Sequence, residues 1–247
     1  MERPHALARL TGGLLFVAGL SASAGPPYAT DDPVPTDRGH WEIYNFAQGG
    51  HLDGITSGAA GIDLNYGGAT DLQLTAVLPL AFETGGGSHQ GLGVVETAAK
   101  YRFVHQREDS WVPDVAVFPR VYWPTAQARY ASQKANLLLP VWVGKDLGAW
   151  SVFGGGGVQF NPGDGNRNFR VLGLAVTRNV TDRLNLGAEL YGRSATTSDG
   201  RALVAINAGM TYKLTEHWSL LASGGPGVMN ASTEGQYAFY LSLKADY

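Results

Sequence analysis

Cysteine is absent from this chain of 247 residues. The fold therefore contains no disulfide, and the chain offers no cysteine to carry an N-terminal lipid anchor. Charged residues make up only 16% of the sequence, below the roughly one quarter of an ordinary soluble domain. The formal net charge of −3 at pH 7 excludes the strongly basic face that nucleic-acid binding requires.

Beyond its first 24 residues, the chain also lacks the run of about 20 apolar residues that forms a membrane-spanning helix. The longest apolar stretch is Leu137 to Val143, and Pro140 interrupts it. The other structure that crosses a bilayer is a closed β-barrel, which satisfies its backbone hydrogen bonds internally. Abundant glycine (34 residues) and 11% aromatic residues suit a barrel, although a soluble β-sandwich shares this composition.

The N-terminus has the pattern of a secretory signal. Arg3 and Arg9 precede the largely apolar run from Leu10 to Leu20, and the small residues Ala22-Ser23-Ala24 follow. This order predicts a cleaved signal peptide over residues 1–24 and an exported protein that begins at Gly25.

The next segment, residues 25–38, contains four prolines. Because proline cannot donate to a sheet ladder, this segment is unsuited to a sheet interior. We predict a short extended lead-in on the periplasmic side, followed by a barrel domain over residues 39–247.

Twelve segments of the barrel domain have strand character. Short turns alternate with longer polar loops between them, which is the asymmetry of a bacterial barrel, and an even strand number puts both termini on the same side. The sequence therefore predicts an all-β, antiparallel, up-and-down transmembrane barrel of about twelve strands. The predicted segments are 39–49, 55–66, 70–82, 92–104, 112–123, 134–145, 149–161, 168–179, 183–194, 201–213, 217–228 and 236–247.

Apolar and polar residues alternate along these segments. In 183–194, Leu186, Ala188 and Leu190 alternate with polar residues such as Asn185 and Glu189. Aromatic residues collect near strand ends, as in the interfacial girdles of outer-membrane barrels, and a sandwich has no reason to place them there. The pattern predicts that the apolar face contacts outer-membrane lipid and that the polar face lines the lumen.

The polar face supplies the candidate site residues. Two readings remain open for them: paired charges that plug a narrow barrel, or the lining of a water-filled or ligand-binding conduit. The predicted lumen-lining residues are Glu96, Lys100, Arg102, Asp114, Arg120, Tyr122, Arg183, Asn185, Glu189, Arg193, Asn207 and Lys213.

The last strand ends in an aromatic residue. From Tyr237 to Tyr247, every second residue is apolar or aromatic. Outer-membrane barrels commonly end in an aromatic residue that the barrel-assembly machinery reads, so we predict this machinery as a partner through Tyr247.

An ordered set of short motifs extends along the mature chain. The motifs are Tyr28-Ala-Thr-Asp-Asp-Pro33, Gly39-His-Trp-Glu-Ile43, Gly68 to Leu74, Ala98 to Phe103, Leu138 to Val141 with Gly144 to Leu147, and Thr181 to Tyr191. Taken together, they resemble the outer-membrane proteins of the "MetA-pathway of phenol degradation" family. The resemblance implies a transporter-like outer-membrane barrel, associated in some members with uptake of aromatic compounds, and it implies no catalytic residues.

We therefore predict a passive outer-membrane channel for small molecules, hydrophobic or aromatic ones among them. The alternatives are a structural barrel with a plugged lumen that presents its loops to partners, and a lipid-modifying enzyme. Ser88 and His89 are the nearest approach to a catalytic pair, but adjacent residues on a strand point to opposite faces. Asn161, Asp164 and Asn166 form a turn more simply than a calcium site. We predict no catalytic residue, metal or cofactor.

Overall fold

The computed structural model describes residues 26–127 and 133–247. The predicted signal peptide, residues 1–24, and Gly25 lie outside these described residues. Fourteen strands and one short helix, α1, are present in them. The strands are β1 (Trp41–Leu52), β2 (Ile55–Ala69), β3 (Leu72–Thr84), β4 (Ser88–Leu92), β5 (Glu96–Val104), β6 (Asp114–Val117), β7 (Arg120–Tyr122), β8 (Asn136–Leu147), β9 (Trp150–Phe160), β10 (Phe169–Asn179), β11 (Leu184–Arg193), β12 (Leu203–Lys213), β13 (Trp218–Met229) and β14 (Tyr237–Asp246), and α1 is Ala231–Glu234.

These strands close into one antiparallel barrel. Around most of the ring each strand pairs with its sequence neighbours, and β1 pairs with β14 along ten residues to complete the ring. We call each strand position around the wall a stave, whether one strand or two consecutive strands occupy it. Strands β4 and β5 both pair with β3 and make one interrupted stave, and β6 and β7 make another between β5 and β8. The barrel thus has twelve staves, and the predicted fold class and strand number are confirmed.

The two faces of the wall differ as the alternation predicted. Leu190 is 50% exposed on the outer face, whereas Glu189, the residue before it, is 2% exposed on the inner face. Leu172 and Leu174 on β10 repeat the outward pattern. Aromatic residues meet at the rims: Trp41 packs on Tyr66, with ring centroids 4.7 Å apart. The outer face is therefore an apolar belt with aromatic edges.

The two ends of the barrel have different connections. We call the end that carries the start of β1 and the end of β14 the turn end; its connections include residues 148–149, 180–183 and 214–217. The opposite end, the loop end, carries longer connections such as 161–168 and 194–202; the turn end has one exception of similar length, residues 105–113. By this asymmetry the turn end is the periplasmic end. No helix among the described residues is long and apolar enough to cross a membrane.

The segment before β1 enters the lumen from the turn end. We call residues 26–38 the N-terminal segment; Tyr28, Thr30, Asp31 and Thr36 within it are buried. We expected residues 25–38 to form an extended lead-in on the periplasmic side, and the structure instead places most of the described part inside the barrel. Its prolines keep it out of the sheet, as predicted, but the polar groups between them find partners on the lumen wall.

Candidate functional site

The N-terminal segment is anchored on one side of the lumen by the carboxylate of Asp31. Its Oδ1 lies 2.9 Å from Nζ of Lys100 on β5, and its Oδ2 lies 2.6 Å from Nη2 of Arg120 on β7. Nη1 of Arg120 also contacts Oε1 of Glu96 at 3.2 Å. All four side chains are at most 5% exposed. Buried ions of this kind need partners, and these four residues provide them for one another.

Phe118 lies beneath the two cations of this anchor. It follows β6 and precedes Pro119, which has no N–H for the ladder, so the stave is interrupted here between β6 and β7. The Phe118 ring is 1% exposed, with the Lys100 ammonium 4.9 Å and the Arg120 guanidinium 4.1 Å from its centroid. Both contacts have cation–π geometry and hold the two cations side by side.

A second anchor, on the opposite side of the lumen, reverses the charges. Here the wall supplies the carboxylate, Glu189 on β11, and the segment supplies backbone donors. The amides of Ala29 and Thr30 donate to Oε1 and Oε2 of Glu189 at 2.9 and 2.8 Å. Nδ2 of Asn207 donates to Oε1 at 2.7 Å. The carboxylate therefore spans two successive amides of the segment.

Two glycines of the wall leave room for the segment at this anchor. A Cβ added at Gly173 would overlap Oγ1 of Thr30, and one added at Gly187 would overlap the hydroxyl of Tyr28. The close approach of the segment to β10 and β11 therefore requires the missing side chains.

A polar ladder on β2 and β3 holds the part of the segment near the turn end. The Thr36 amide donates to Oε1 of Gln73 at 2.9 Å, and Nε2 of Gln73 donates to Oδ1 of Asn65 at 2.7 Å. Thr75 and Asp63 extend the ladder through Asn65. The segment is thus held at three places on the wall, mainly through side chains.

A cavity of about 1110 Å³ opens below the segment towards the turn end. Its inner part is lined by Asp31, Asp32, Tyr44, Lys100 and Phe118. Its mouth is lined by charged side chains of both signs: Asp182, Arg183, Lys213, Glu216, Lys244 and Asp246.

The predicted lumen residues do not form one cluster. Seven are buried inside the barrel: Glu96, Lys100, Asp114, Arg120, Tyr122, Glu189 and Asn207. Arg102 reaches Asp71 at 2.9 Å and Asp114 at 3.3 Å, and Asn185 donates to Asn179 at 2.9 Å. Arg183 and Lys213 lie at the turn-end mouth. Arg193 is at the other end of β11, where it pairs with Glu234 at 3.1 Å.

The set of candidate residues lacked the partners supplied by the N-terminal segment, Asp31 above all. Asp31 lies between prolines, where no periodicity marks a face, so only a count of unmatched cations on the inner faces could have indicated it. The set also lacked Phe118 and Gln73. Phe118 lies on the same inward face as Asp114, Arg120 and Tyr122, and it was missed because the candidate set was limited to side chains with polar groups.

The described residues contain no group of three or more histidine, aspartate or glutamate side chains placed to hold a metal ion. Ser88 and His89 are both exposed on β4. A different hydroxyl and imidazole meet on the outer face, His51 Nδ1 and Thr56 Oγ1 at 2.9 Å. The His51 ring also stacks on Tyr237, with ring centroids 4.9 Å apart.

No family model matches the chain, and no curated protein matches it. Solved structures do. An outer membrane channel from Pseudomonas putida F1 is similar over 87% of this chain and 98% of its own, with a TM-score of 0.71 and 14% identity. The KdgM porin, in complex with disordered oligogalacturonate, covers 84% and 99%, with a TM-score of 0.54 and 12% identity. The NanC porin covers 83% and 98%, with a TM-score of 0.53 and 8% identity.

The chain has the fold of a bacterial outer-membrane barrel. With its apolar belt and rim aromatics, that fold places the protein in the outer membrane. The assignment to the phenol-degradation family, which rested on short motifs, stays a prediction because no family model matches.

Proposed function

We propose that this protein is a passive outer-membrane channel for small organic solutes, with an aperture set by the N-terminal segment. One observation carries the proposal. The segment crosses a polar lumen above a cavity of about 1110 Å³, and it is attached by discrete side-chain contacts instead of a strand ladder. An element attached in this way can move without opening the barrel wall.

Unpartnered polar atoms in the lumen support a wet interior. The Tyr191 hydroxyl, Nε1 of Trp142 and Oδ1 of Asn136 are buried, and none has a hydrogen-bond partner among the described residues. Buried polar groups of folded proteins are usually satisfied by protein or by water. Water in the lumen would satisfy these three groups, whereas a dry core would leave them without hydrogen bonds and reduce the stability of the fold.

The lining also supports a solute class. Several aromatic side chains that are at least nine-tenths buried face inward, on the same face of the wall as the charged side chains. Such an interior suits small molecules with both an apolar ring and a polar group, since the rings contact apolar surface and the polar side chains fix orientation. The aromatic residues of the lumen wall are Tyr44, Phe46, Phe118, Tyr122, Trp142, Phe169 and Tyr191.

The test is single-channel conductance in a planar bilayer, on the wild type and on Gly173→Val. The new side chain would occupy the space of Thr30, so the segment is displaced while the backbone pairing of β10 remains. We expect discrete current steps in the wild type and larger steps in Gly173→Val. Ala188→Val on the lipid face is the control and should conduct like the wild type.

The second candidate is a structural barrel with a plugged lumen, favoured by the depth to which the segment is buried. It predicts silence from all three proteins. We also propose that the protein is not an enzyme, and that the assembly machinery reads the C-terminal strand ending in Tyr247. For the latter, deletion of Tyr247 should lower the amount of folded protein in the outer membrane, measured by heat-modifiable gel mobility.

A further inference from the structure

We propose that Lys100 and Arg120, with Phe118 beneath them, form a carboxylate-binding site for permeating solutes, and that Asp31 is its intramolecular occupant. The solute class is a small organic acid with one carboxylate. This inference rests on the proposed channel function and deepens it, because it names a binding step inside the lumen.

The two cations recognise the two oxygens of one carboxylate separately. Asp31 Oδ1 is bound by the Lys100 ammonium and Oδ2 by the Arg120 guanidinium, at 2.9 and 2.6 Å. Charge-assisted hydrogen bonds in a buried setting are among the strong ones, and two donors on different oxygens also fix the orientation of the carboxylate. The Phe118 ring supports both cations from the same side of the site.

The occupant belongs to the segment, and the site belongs to the wall. Every hydrogen bond and ion pair of the Lys100 ammonium among the described residues ends on the segment, at the carboxylates of Asp31 and Asp32 and the carbonyl oxygens of Asp32 and Val34. Glu96, the wall carboxylate in contact with the pair, touches Arg120. When the segment moves, a buried ammonium loses its anionic partners, and a carboxylate from solution is the chemical substitute.

The Lys100 side of the site can be reached from the turn end. Asp31, Lys100 and Phe118 line the inner part of the cavity, and Tyr44 adds an aromatic surface next to them. The Asp32 carboxylate lies 4.0 Å from Lys100 and repels an incoming anion while the segment is in place. It leaves together with Asp31, so displacement of the segment both vacates the site and removes this repulsion. A permeating acid and the N-terminal segment therefore compete for the same two cations.

The test measures benzoate binding by calorimetry on the detergent-solubilised wild type, Asp31→Asn and Asp32→Asn. Because the competitor loses its charge in Asp31→Asn, we expect benzoate to bind this variant about tenfold or more tightly than the wild type. Asp32→Asn should differ from the wild type by less than about threefold, since that carboxylate is at the edge of contact distance. Benzamide, which has the same ring and no charge, should not bind. Adding Lys100→Met to Asp31→Asn should abolish benzoate binding.

Equal benzoate affinity in the wild type and Asp31→Asn would overturn the inference, as would benzamide binding as tight as benzoate. If Asp31→Asn does not fold, the cysteine-free chain offers a second measurement: the rate at which a thiol reagent labels Thr30→Cys. Benzoate should raise that rate about tenfold by releasing the segment, and benzamide should not; an unchanged rate contradicts the inference.

The two hypotheses fail separately. If Asp31→Asn conducts in a bilayer but binds no benzoate, the carboxylate site is wrong and the channel stands. If it binds benzoate but passes no current, the site stands and the channel is wrong.

Discussion

The barrel wall and the N-terminal segment are held in place by different kinds of interaction. Each stave of the wall is bonded to two neighbours by backbone ladders; β1 and β2, for example, are paired at twelve positions. The segment has one isolated bridge to the sheet, between Arg38 and Gly67, and its other attachments are side-chain contacts, chiefly those of Asp31, Glu189 and Gln73.

Because of this difference, the stability of the barrel and its permeability can be altered separately. A ladder tolerates many side chains because its donors and acceptors are in the backbone, so the wall is sensitive mainly to which face a residue occupies. The segment depends on the identity of a few polar groups, because each of its attachments uses a particular side chain. We therefore expect substitutions to differ in their effects on unfolding free energy, hydrogen exchange and ion preference. These effects depend on whether a substitution alters both regions, the wall alone, the segment alone or the cavity mouth alone.

The largest effect is expected where wall and segment share an ion cluster. Arg120→Met leaves the buried carboxylates of Asp31 and Glu96 without the guanidinium, and removal of one partner from a buried pair costs about 3–5 kcal/mol. The free energy of unfolding, from urea titration of the protein in lipid micelles, measures this loss. Arg102→Met is the control; its side chain is 22% exposed, so it should lose much less. Equal losses of unfolding free energy in Arg120→Met and Arg102→Met would show that the burial of the cluster does not increase its contribution to stability.

A change on the lipid face should affect the wall alone. Leu190→Arg places a charge among lipid tails, which costs about 2–4 kcal/mol near the midplane of the bilayer. A urea titration of the protein in lipid vesicles should show this loss, and Leu190→Met should behave like the wild type. The conductance of the protein that does fold should stay unchanged, because no lumen contact is altered. Normal folding of Leu190→Arg would contradict the assignment of this face to lipid.

A change at the second anchor should loosen the segment and spare the wall. Glu189→Gln leaves one acceptor oxygen for the donors of Ala29, Thr30 and Asn207, and an unsatisfied buried donor costs about 1–3 kcal/mol. Hydrogen–deuterium exchange followed by mass spectrometry should show faster exchange of peptides from residues 27–36, with the strands unchanged. Glu216→Gln, at the cavity mouth, is the matched control. Faster exchange across β10 and β11 would mean that the segment and wall unfold together.

The smallest effect on stability is expected at the mouth. Arg183 and Lys213 line the cavity, and neither has an ion pair within the described ranges. Replacing both with Gln should change the free energy of unfolding by less than about 0.5 kcal/mol. The reversal potential in a KCl gradient should shift towards cation preference, because two cations leave the path.

Arg193→Gln provides the contrast to the mouth variant, since Arg193 pairs with Glu234 near the loop end and should lose stability. A mouth variant that loses as much stability as Arg193→Gln would show that its cations are structural.

Particular residues show how far sequence reasoning extends. The outward positions of Leu186, Ala188 and Leu190 and the inward position of Glu189 follow from strict alternation, because a strand turns successive side chains to opposite faces. Lys100 and Arg120 were placed on the inner face by the same argument. Their partner could not be found in this way, because Asp31 is in a proline-containing segment without any periodic pattern. Asp31 is also 69 and 89 positions away from Lys100 and Arg120 in sequence.

The fold class, the twelve staves and the two faces of the wall can all be predicted from the sequence, because they follow from local periodicity and from turn chemistry. What fills the lumen depends on the closed barrel. Closure of the barrel brings β5, β7, β10 and β11 around one space. The buried charges of these strands need partners, and the N-terminal segment supplies them. The inward positions of the wall cations follow from the alternation of their own strands. The Asp31 carboxylate, which is distant in sequence, comes within contact distance of them only when the barrel is closed.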